Sequence, residues 1–236
     1  MKGILVTNHK TTKTPLGKTS TRKENIELID SMNEHVREYE AWFKKHFYVF
    51  RSEVAAIRQL LPAEKNAKGI EIGVGTGRFA KALDIKEGIE PAEEMRIVAE
   101  KRGIAVLHAT AESIPYKTNY FDYVLMNFCI SYLKNLHDAF KEAHRVLKDD
   151  GCLIVGFVKE NSIIAKDYES RAAKSFFYNE AKFYEPDEVF KALTKAGFTI
   201  SKITQTLFHA LNKINAIELA QPGYDKGSYI FIKAIK

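Results

Sequence analysis

A short glycine-rich segment, residues 71–77 (EIGVGTG), most constrains what this 236-residue chain can fold into. It follows an apolar run that begins at Gly69 and precedes a helical pattern that begins at Arg78. Alternate glycines let the backbone turn sharply and approach a ligand, because no Cβ atoms stand in the way. The segment therefore predicts a strand, a ligand-binding turn and a helix in that order. The alternative is a tight strand-to-helix connection without a ligand.

Runs of β-type residues alternate with helical patterns along most of the chain. The predicted strands span residues 69–72, 84–89, 104–108, 123–127 and 152–158. Such alternation is typical of a parallel sheet that is covered by helices on both faces. Two later strands, near residues 198–206 and 229–234, have no clear helix between them. They predict an antiparallel pair at the sheet edge.

Three regions of the chain differ in composition. Residues 1–24 are rich in Thr and Lys and nearly free of apolar side chains, so we expect a mobile basic tail. Apolar residues then recur at helical spacing, which predicts an N-terminal helical cap over residues 25–62. Residues 63–236 are expected to form one core domain, with an aromatic insert over residues 159–185.

The net charge of +6 is concentrated in the tail. Residues 1–24 contribute +5, whereas the rest of the chain holds 30 basic and 29 acidic side chains. A nucleic-acid enzyme usually carries its basic surface on the folded domain, so nucleic acid is not favoured as a partner. Two cysteines in apolar surroundings, no signal peptide and no bilayer-length apolar run favour a cytoplasmic protein without membrane association. No metal is predicted, since no cluster of ligand-type residues has suitable spacing.

The spacing of the glycines separates two classes of ligand. A dinucleotide-binding turn needs its third glycine where Arg78 stands, which conflicts with a nicotinamide oxidoreductase. Glu71 would be unfavourable beside a pyrophosphate but favourable beside an ammonium group. Glu90 ends the next predicted strand, where a carboxylate can accept hydrogen bonds from two ribose hydroxyls. These residues favour an adenosine compound, although Glu90 alone would suggest an ordinary solvated loop residue.

Taken together, the motifs resemble those of class I S-adenosylmethionine-dependent methyltransferases. They are residues 71–77, Glu90-Pro91, residues 109–115 (ATAESIP), Phe121-Asp122 and residues 145–151 (RVLKDDG). Residues 39–43 (YEAWF) are similar to the aromatic N-terminal helix of the small-molecule branch, which includes ubiquinone and menaquinone biosynthesis methyltransferases. The resemblance implies a three-layer Rossmann-like α/β sandwich. Its sheet would be mostly parallel and seven-stranded, with an antiparallel edge strand.

The resemblance also implies a cofactor, S-adenosylmethionine, and the residues that bind it. The three glycines would pass beneath its methionine part, while Glu71 places the amino group and Glu90 holds the ribose. Ala111 would lie against adenine, with Thr110 beside it where the family often has Asp. The whole cofactor-binding set is Glu71, Gly73, Val74, Gly75, Gly77, Arg78, Glu90, Pro91, Met95, Thr110, Ala111, Glu112, Asn127 and Phe128.

Aromatic residues outside the predicted core are candidates for the acceptor pocket. We expect an apolar lid formed by Tyr39, Trp42, Phe43, Phe177 and Tyr184, with Phe176 and Tyr178 nearby; the alternative is core packing. Methyl transfer from a sulfonium is an in-line displacement, so positioning in a dry pocket supplies much of the catalysis and a base is optional. By location alone, the candidate bases are His35, Tyr39, His108 and Glu112, and no catalytic residue is assigned.

Several functions stay open on the sequence alone. Residues 127–130 (NFCI) lack the Asn-Pro-Pro-aromatic motif of many methyltransferases that modify amino groups on nucleic acids or protein glutamine. Together with the nearly neutral domain, this favours a small-molecule acceptor. A monomer or homodimer is expected. The alternatives are an RNA or protein methyltransferase that uses the basic tail, and a cofactor-binding protein without catalysis.

Overall fold

The computed structural model describes residues 27–64 and 66–236. The predicted tail over residues 1–24 lies outside these residues. The α-helices are α1 (residues 27–34), α2 (Val36–Lys45), α3 (Phe47–Arg58), α4 (Arg78–Leu83), α5 (Glu93–Lys101), α6 (Leu136–Val146), α7 (Ile163–Ser170), α8 (Phe176–Glu180) and α9 (Pro186–Lys195). The strands are β1 (Gly69–Ile72), β2 (Glu87–Ile89), β3 (Ala105–Leu107), β4 (Phe121–Asn127), β5 (Leu147–Val158), β6 (Thr199–Thr206), β7 (Gln221–Pro222) and β8 (Tyr229–Ile235).

One sheet contains all eight of these strands, in the order β3-β2-β1-β4-β5-β8-β6-β7. The five strands from β3 to β5 are parallel, whereas β8, β6 and β7 pair antiparallel. The predicted mixed α/β sheet is therefore confirmed, with eight strands rather than seven. The late pair β6 and β8 is antiparallel as predicted, but β8 lies inside the sheet because it also pairs with β5. The edge strand on this side of the sheet is β7, which has two residues.

Side chains alternate between the two faces of the sheet, as a period of two residues requires. On β4, Tyr123 and Leu125 join the core on one face, which also contains residues of α3, α4 and α5. Val124 and Met126 join the core on the other face, with residues of α6 and α9. Burial on both faces explains why the parallel strands read as nearly continuous apolar runs.

The N-terminal helical region is divided into three helices rather than continuous. The breaks fall at His35 and His46, whose backbones leave helical geometry between α1 and α2 and between α2 and α3. Val54 and Ile57 of α3 are buried in the core beneath the sheet, whereas α2 buries only Phe43. The turn at His46 thus carries α2 away from the core and across the carboxyl end of the sheet, where the site lies.

The aromatic insert contains α7 and α8. It packs against α2: Trp42 Nε1 donates a hydrogen bond to Tyr178 Oη at 2.7 Å. The ring of Tyr178 stacks on that of Tyr168 with centroids 4.3 Å apart. Two segments that are far apart in sequence therefore form one aromatic wall. Within residues 27–64 and 66–236, no helix combines the length and apolar character needed to cross a bilayer.

Candidate functional site

Two adjoining cavities open at the carboxyl ends of β1, β2 and β4. The first, of about 150 Å³, lies against the turn after β1 and is called the glycine-loop cavity. The second, of about 360 Å³, lies between α2, α3, α7 and α8 and is called the aromatic cavity. The residues that line both are Tyr39, Asn127, Phe128, Tyr132 and Phe177. These shared walls would place two bound molecules next to each other.

Most of the predicted cofactor-binding residues come together in the glycine-loop cavity. Residues of α1, namely Leu28, Ile29 and Met32, form part of its wall and have no counterpart in the prediction. The predicted residues that line it are Gly73, Gly75, Glu90, Pro91, Met95, Thr110, Ala111, Glu112, Asn127 and Phe128.

The turn after β1 has glycine where a side chain would be strained, as Gly73 and Gly75 illustrate. Gly73 has a φ of +67°, and a Cβ atom there would lie 2.6 Å from Cys129 Cβ. Gly75 has a φ of +52°, and its Cβ would lie 3.1 Å from the hydroxyl of Tyr39. Positive φ is strained for residues with a Cβ atom. The glycines thus let the turn pass close to α2 and to the segment after β4.

Glu90, at the end of β2, holds this turn in place. Its Oε2 accepts a hydrogen bond from the backbone N–H of Gly75 at 2.8 Å, and its Oε1 accepts one from Ala92 at 2.9 Å. Burial raises the pKa of Glu90, an effect that the two backbone donors partly offset. A carboxylate offers about four lone-pair positions, so both oxygens can still accept hydrogen bonds from a ligand's hydroxyls.

Glu71 is 2% exposed and lines neither cavity. Burial raises its pKa well above the usual range, and the backbone N–H of Ala80 partly offsets this effect. Its Oε2 atom is buried and has no hydrogen-bond partner in the part of the chain that the structure describes. An unpaired buried oxygen is unfavourable until a donor reaches it, and a cationic nitrogen is such a donor. This orphaned oxygen fits the ammonium role that the sequence suggested.

Three other members of the predicted cofactor set lie behind the turn instead of lining the cavity. Val74 packs under Gly88, and Gly77 packs on Ala99. Arg78 turns away to form an ion pair with Glu40, Nη2 to Oε2 at 2.5 Å. Their contacts are with the protein, so their contribution to binding would be indirect.

The aromatic cavity contains four of the five predicted acceptor residues. Tyr39, Trp42, Phe43 and Phe177 line it, and Tyr178 does as well. The prediction for Tyr184 is corrected: this residue is 4% exposed and belongs to the core on the other face of the sheet. It follows α8 at the return of the insert to the core, so its ring packs inward. Phe176 lines neither cavity and stacks on His35, with ring centroids 5.0 Å apart.

The candidate bases are dispersed. Burial raises the pKa of Tyr39 well above 10, so its hydroxyl stays protonated. His35 Nδ1 lies 2.7 Å from the carbonyl oxygen of Ser31, and His108 lines neither cavity. Glu112 lines the glycine-loop cavity. Of these four residues, only Tyr39 lines the aromatic cavity.

The sequence prediction missed Glu53, an acidic residue in the wall of the aromatic cavity. It projects from α3, is 5% exposed, and lines the cavity with Asn127 and Tyr229. Burial raises its pKa to about 8, and the neighbouring Asn127 amide lowers it only in part. A helical projection offers the missing signal, since Glu53 follows Phe50 by three positions and precedes Ile57 by four, on the apolar face of α3.

His46 is a second polar residue of the aromatic cavity that the sequence did not suggest. It is 8% exposed, at the turn between α2 and α3. Burial, with smaller contributions from Lys45 and Arg171, lowers its pKa to about 4. The imidazole is therefore neutral near pH 7. A neutral ring can donate one hydrogen bond and accept another.

Comparison with known proteins gives a consistent result. Residues 70–155 match the family model described as a methyltransferase domain. An uncharacterised protein of Methanocaldococcus jannaschii is 38% identical over 88% of this chain and 100% of its own length. A crystal structure from Thermotoga maritima is 43% identical over 86% of this chain and 97% of that chain, with a TM-score of 0.82. That structure is described as an S-adenosylmethionine-dependent methyltransferase, a possible histamine N-methyltransferase.

A more distant relative is the demethylmenaquinone methyltransferase of Chlorobaculum tepidum. It is 27% identical over 60% of this chain and 69% of its own length.

Proposed function

The chain belongs to the class I S-adenosylmethionine-dependent methyltransferases, and on this premise we propose that it methylates a small molecule held in the aromatic cavity. The observation that carries the proposal is the junction of the two cavities. Tyr39, Asn127 and Phe128 belong to both walls, so a donor in the glycine-loop cavity would be adjacent to an acceptor in the aromatic cavity.

The residues of the glycine-loop cavity fit S-adenosylmethionine. We propose that Glu90 binds the ribose hydroxyls, that Glu71 Oε2 receives the amino group, and that Ala111 and Thr110 border the adenine. The orphaned oxygen of Glu71 and the lone pairs that Glu90 retains support these roles. When bound, this cofactor supplies a methyl group on a cationic sulfur.

The aromatic cavity favours a small acceptor over a macromolecule. Its volume of about 360 Å³ lies within the usual range for small-molecule sites. Its walls come from α2, α3 and the insert, with aromatic rings on several sides. These rings would exclude water and hold an acceptor in line with the methyl group, which is the main requirement of this displacement. The name of the Thermotoga relative, which includes a small molecule, is in keeping with this proposal.

The first experiment is calorimetric titration of the full chain with S-adenosylmethionine, S-adenosylhomocysteine and NAD, alongside Glu90→Ala. We expect both adenosyl compounds to bind, NAD not to bind, and the variant to bind more weakly. Release of S-adenosylhomocysteine is then measured with a small-molecule library, total RNA and a protein extract as acceptors.

The acceptor assay separates the remaining functions. Turnover with a library compound supports the proposal. Turnover only with RNA or protein, lost when residues 1–24 are removed, would assign the function to the alternative that uses the basic tail. Cofactor binding without turnover on any acceptor would favour a binding protein that lacks catalysis.

A further inference from the structure

Glu53 is the least expected group in the aromatic cavity. The residue is 5% exposed and lines the cavity with residues of β4 and β8. The groups that shift its pKa include Asn127 but no lysine or arginine from the residues that the structure describes. An acidic side chain buried without a cationic partner is costly, so its position in a ligand cavity suggests that a ligand completes it.

Aromatic rings surround this carboxyl group. Trp42, Tyr168, Tyr178 and Tyr229 line the same cavity. Burial, with a smaller contribution from Glu53, raises the pKa values of the nearby Tyr168 and Tyr229 hydroxyls, so both stay neutral. Aromatic faces attract cations, and an enclosed carboxylate does so more strongly. The cavity therefore combines the two features that recognise an organic cation.

We propose that the methyl acceptor is a small primary or secondary amine whose nitrogen Glu53 binds and deprotonates in the aromatic cavity. This inference rests on the function proposed above and specifies its substrate class. Asn127 lines both cavities and adjoins Glu53, so the amine nitrogen would lie on the side of the cavity that faces the methyl donor.

The chemistry balances without a further reactant. The Glu53 carboxylate takes one proton from the ammonium group, which leaves a neutral amine and a neutral carboxyl group. The amine lone pair forms the new C–N bond while the S–CH₃ bond breaks and its electron pair stays on sulfur. The products are an N-methylammonium ion and S-adenosylhomocysteine, and the Glu53 proton returns to solvent when they leave.

The acidity of Glu53 suits this role. Burial raises its pKa to about 8, and free alkylammonium groups have a pKa of about 10. The difference in pKa between the ammonium donor and the Glu53 acceptor is therefore far smaller than it would be for an ordinary glutamate, whose pKa is near 4.3. A base whose pKa is near the working pH is the most effective. His46, which lines the same cavity and has a pKa of about 4, is a weaker base.

The test is calorimetry on the full chain saturated with S-adenosylhomocysteine, so that no turnover occurs. The probes are matched pairs, an amine and an alcohol on the same phenyl, imidazolyl or alkyl skeleton, such as 2-phenylethylamine and 2-phenylethanol. We expect at least one amine to bind about tenfold or more tightly than its alcohol, as expected for a charge-assisted contact. This first comparison needs no variant.

Variants then assign the preference to Glu53. Glu53→Gln should abolish the preference for amines while leaving affinity for S-adenosylhomocysteine unchanged, because Glu53 does not line the glycine-loop cavity. Glu38→Gln is the matched control, since Glu38 also lines the aromatic cavity but is exposed; it should keep the preference. Equal binding of amines and alcohols, no binding of any amine, or a preference that survives Glu53→Gln in a folded protein overturns the inference.

The outcome for the proposed function is separate. Wild-type turnover with small alcohols, acids or thiols but not with amines would overturn the role of Glu53 and leave the proposed function intact. Turnover with no small molecule of any class would overturn both.

Discussion

Glu40 Oε2 lies 2.5 Å from Arg78 Nη2 and joins α2 to the first turn of α4. The same carboxylate accepts hydrogen bonds from Arg102 Nη2 and from the Thr76 hydroxyl, both at 2.6 Å. Burial alone would raise the pKa of Glu40, but these donors outweigh it and lower the pKa to about 2. One acidic side chain of the N-terminal region thus fixes the position of the glycine loop.

Glu40→Gln should therefore weaken cofactor binding although Glu40 does not line the glycine-loop cavity. Loss of hydrogen bonds between charged groups costs about 1.5 kcal/mol or more, which corresponds to roughly a tenfold rise in the dissociation constant. Titration with S-adenosylhomocysteine measures the effect. Asp84→Asn is the matched control, because the Asp84–Lys86 pair is highly exposed; equal affinities in the two variants would contradict the expectation.

Trp42→Ala should lower the rate of methyl transfer by more than it lowers cofactor affinity. Trp42 lines the aromatic cavity but not the glycine-loop cavity, and its Nε1 is hydrogen-bonded to Tyr178. Its removal opens the wall that excludes water. Steady-state kinetics and calorimetry on the same preparation separate the two effects, with Tyr48→Ala, at an exposed position, as the control. An unchanged rate in a folded Trp42→Ala protein would show that the Trp42 side chain contributes to packing but not to catalysis.

Gly75→Ala should weaken cofactor binding by tenfold or more. Alanine at this position would have to keep a positive φ, and its Cβ would lie 3.1 Å from the Tyr39 hydroxyl. Gly103→Ala is the matched control, since Gly103 has a φ of +85° but no atom within 4 Å of its Cβ position. If strain alone mattered, both variants would lose a similar amount of stability and neither would lose affinity. Adding Tyr39→Phe to Gly75→Ala should restore part of the affinity, because it removes the contacting oxygen.

Glu53→Gln should change how the stability of the protein depends on pH. The folded-state pKa of about 8 lies above the unfolded value, so the native state binds the extra proton between about pH 4.5 and 8. Wild-type stability therefore falls as the pH rises through this window, and the neutral variant escapes that loss. The difference in unfolding free energy should grow towards an upper limit of about 5 kcal/mol, since each pH unit contributes about 1.4 kcal/mol.

Other groups around Glu53 should not mask this effect. Burial raises the pKa values of Tyr168 and Tyr229 well above 10, and that of His46 is about 4. The two tyrosines titrate outside the window. His46 changes stability between about pH 4 and 6.5, because its pKa is 6.5 in the unfolded chain, but it does so equally in wild type and variant and does not affect their difference. Urea unfolding of both proteins at pH 5, 6, 7 and 8 provides the measurement, and parallel curves for wild type and variant would refute the assigned pKa.

The inner strands of the sheet could be predicted from the sequence because β1, β4 and β5 are buried on both faces over most of their length. The prediction for residues 69–72 coincides with β1 (Gly69–Ile72). Asp84, predicted to begin a strand, instead ends α4 in a left-handed conformation. The edge strand β7 was not foreseen, because two residues that include a proline carry no alternation. Its pairing with β6 is set by tertiary contact.

Only one of the two cavities could be predicted well from the sequence. Ten residues of the glycine-loop cavity were predicted, because they fall in the motifs that resemble class I methyltransferases. The aromatic cavity is assembled from α2, α3 and the insert, whose separation in the sequence hides their contact. Tyr184 was assigned to the acceptor pocket for this reason, although it packs in the core on the other face of the sheet. Glu53 was passed over although its spacing from Phe50 and Ile57 places it on the apolar face of α3.

Glu90 has a consequence for the thermodynamics of recognition. Its two backbone hydrogen bonds fix the carboxylate's rotamer in the protein alone, at the place where a ribose would dock. Immobilising a free side chain on association costs about 0.5–1.5 kcal/mol. Here that loss of entropy belongs to folding, so in the proposed role Glu90 would meet the ribose as an already rigid acceptor, without this cost on binding.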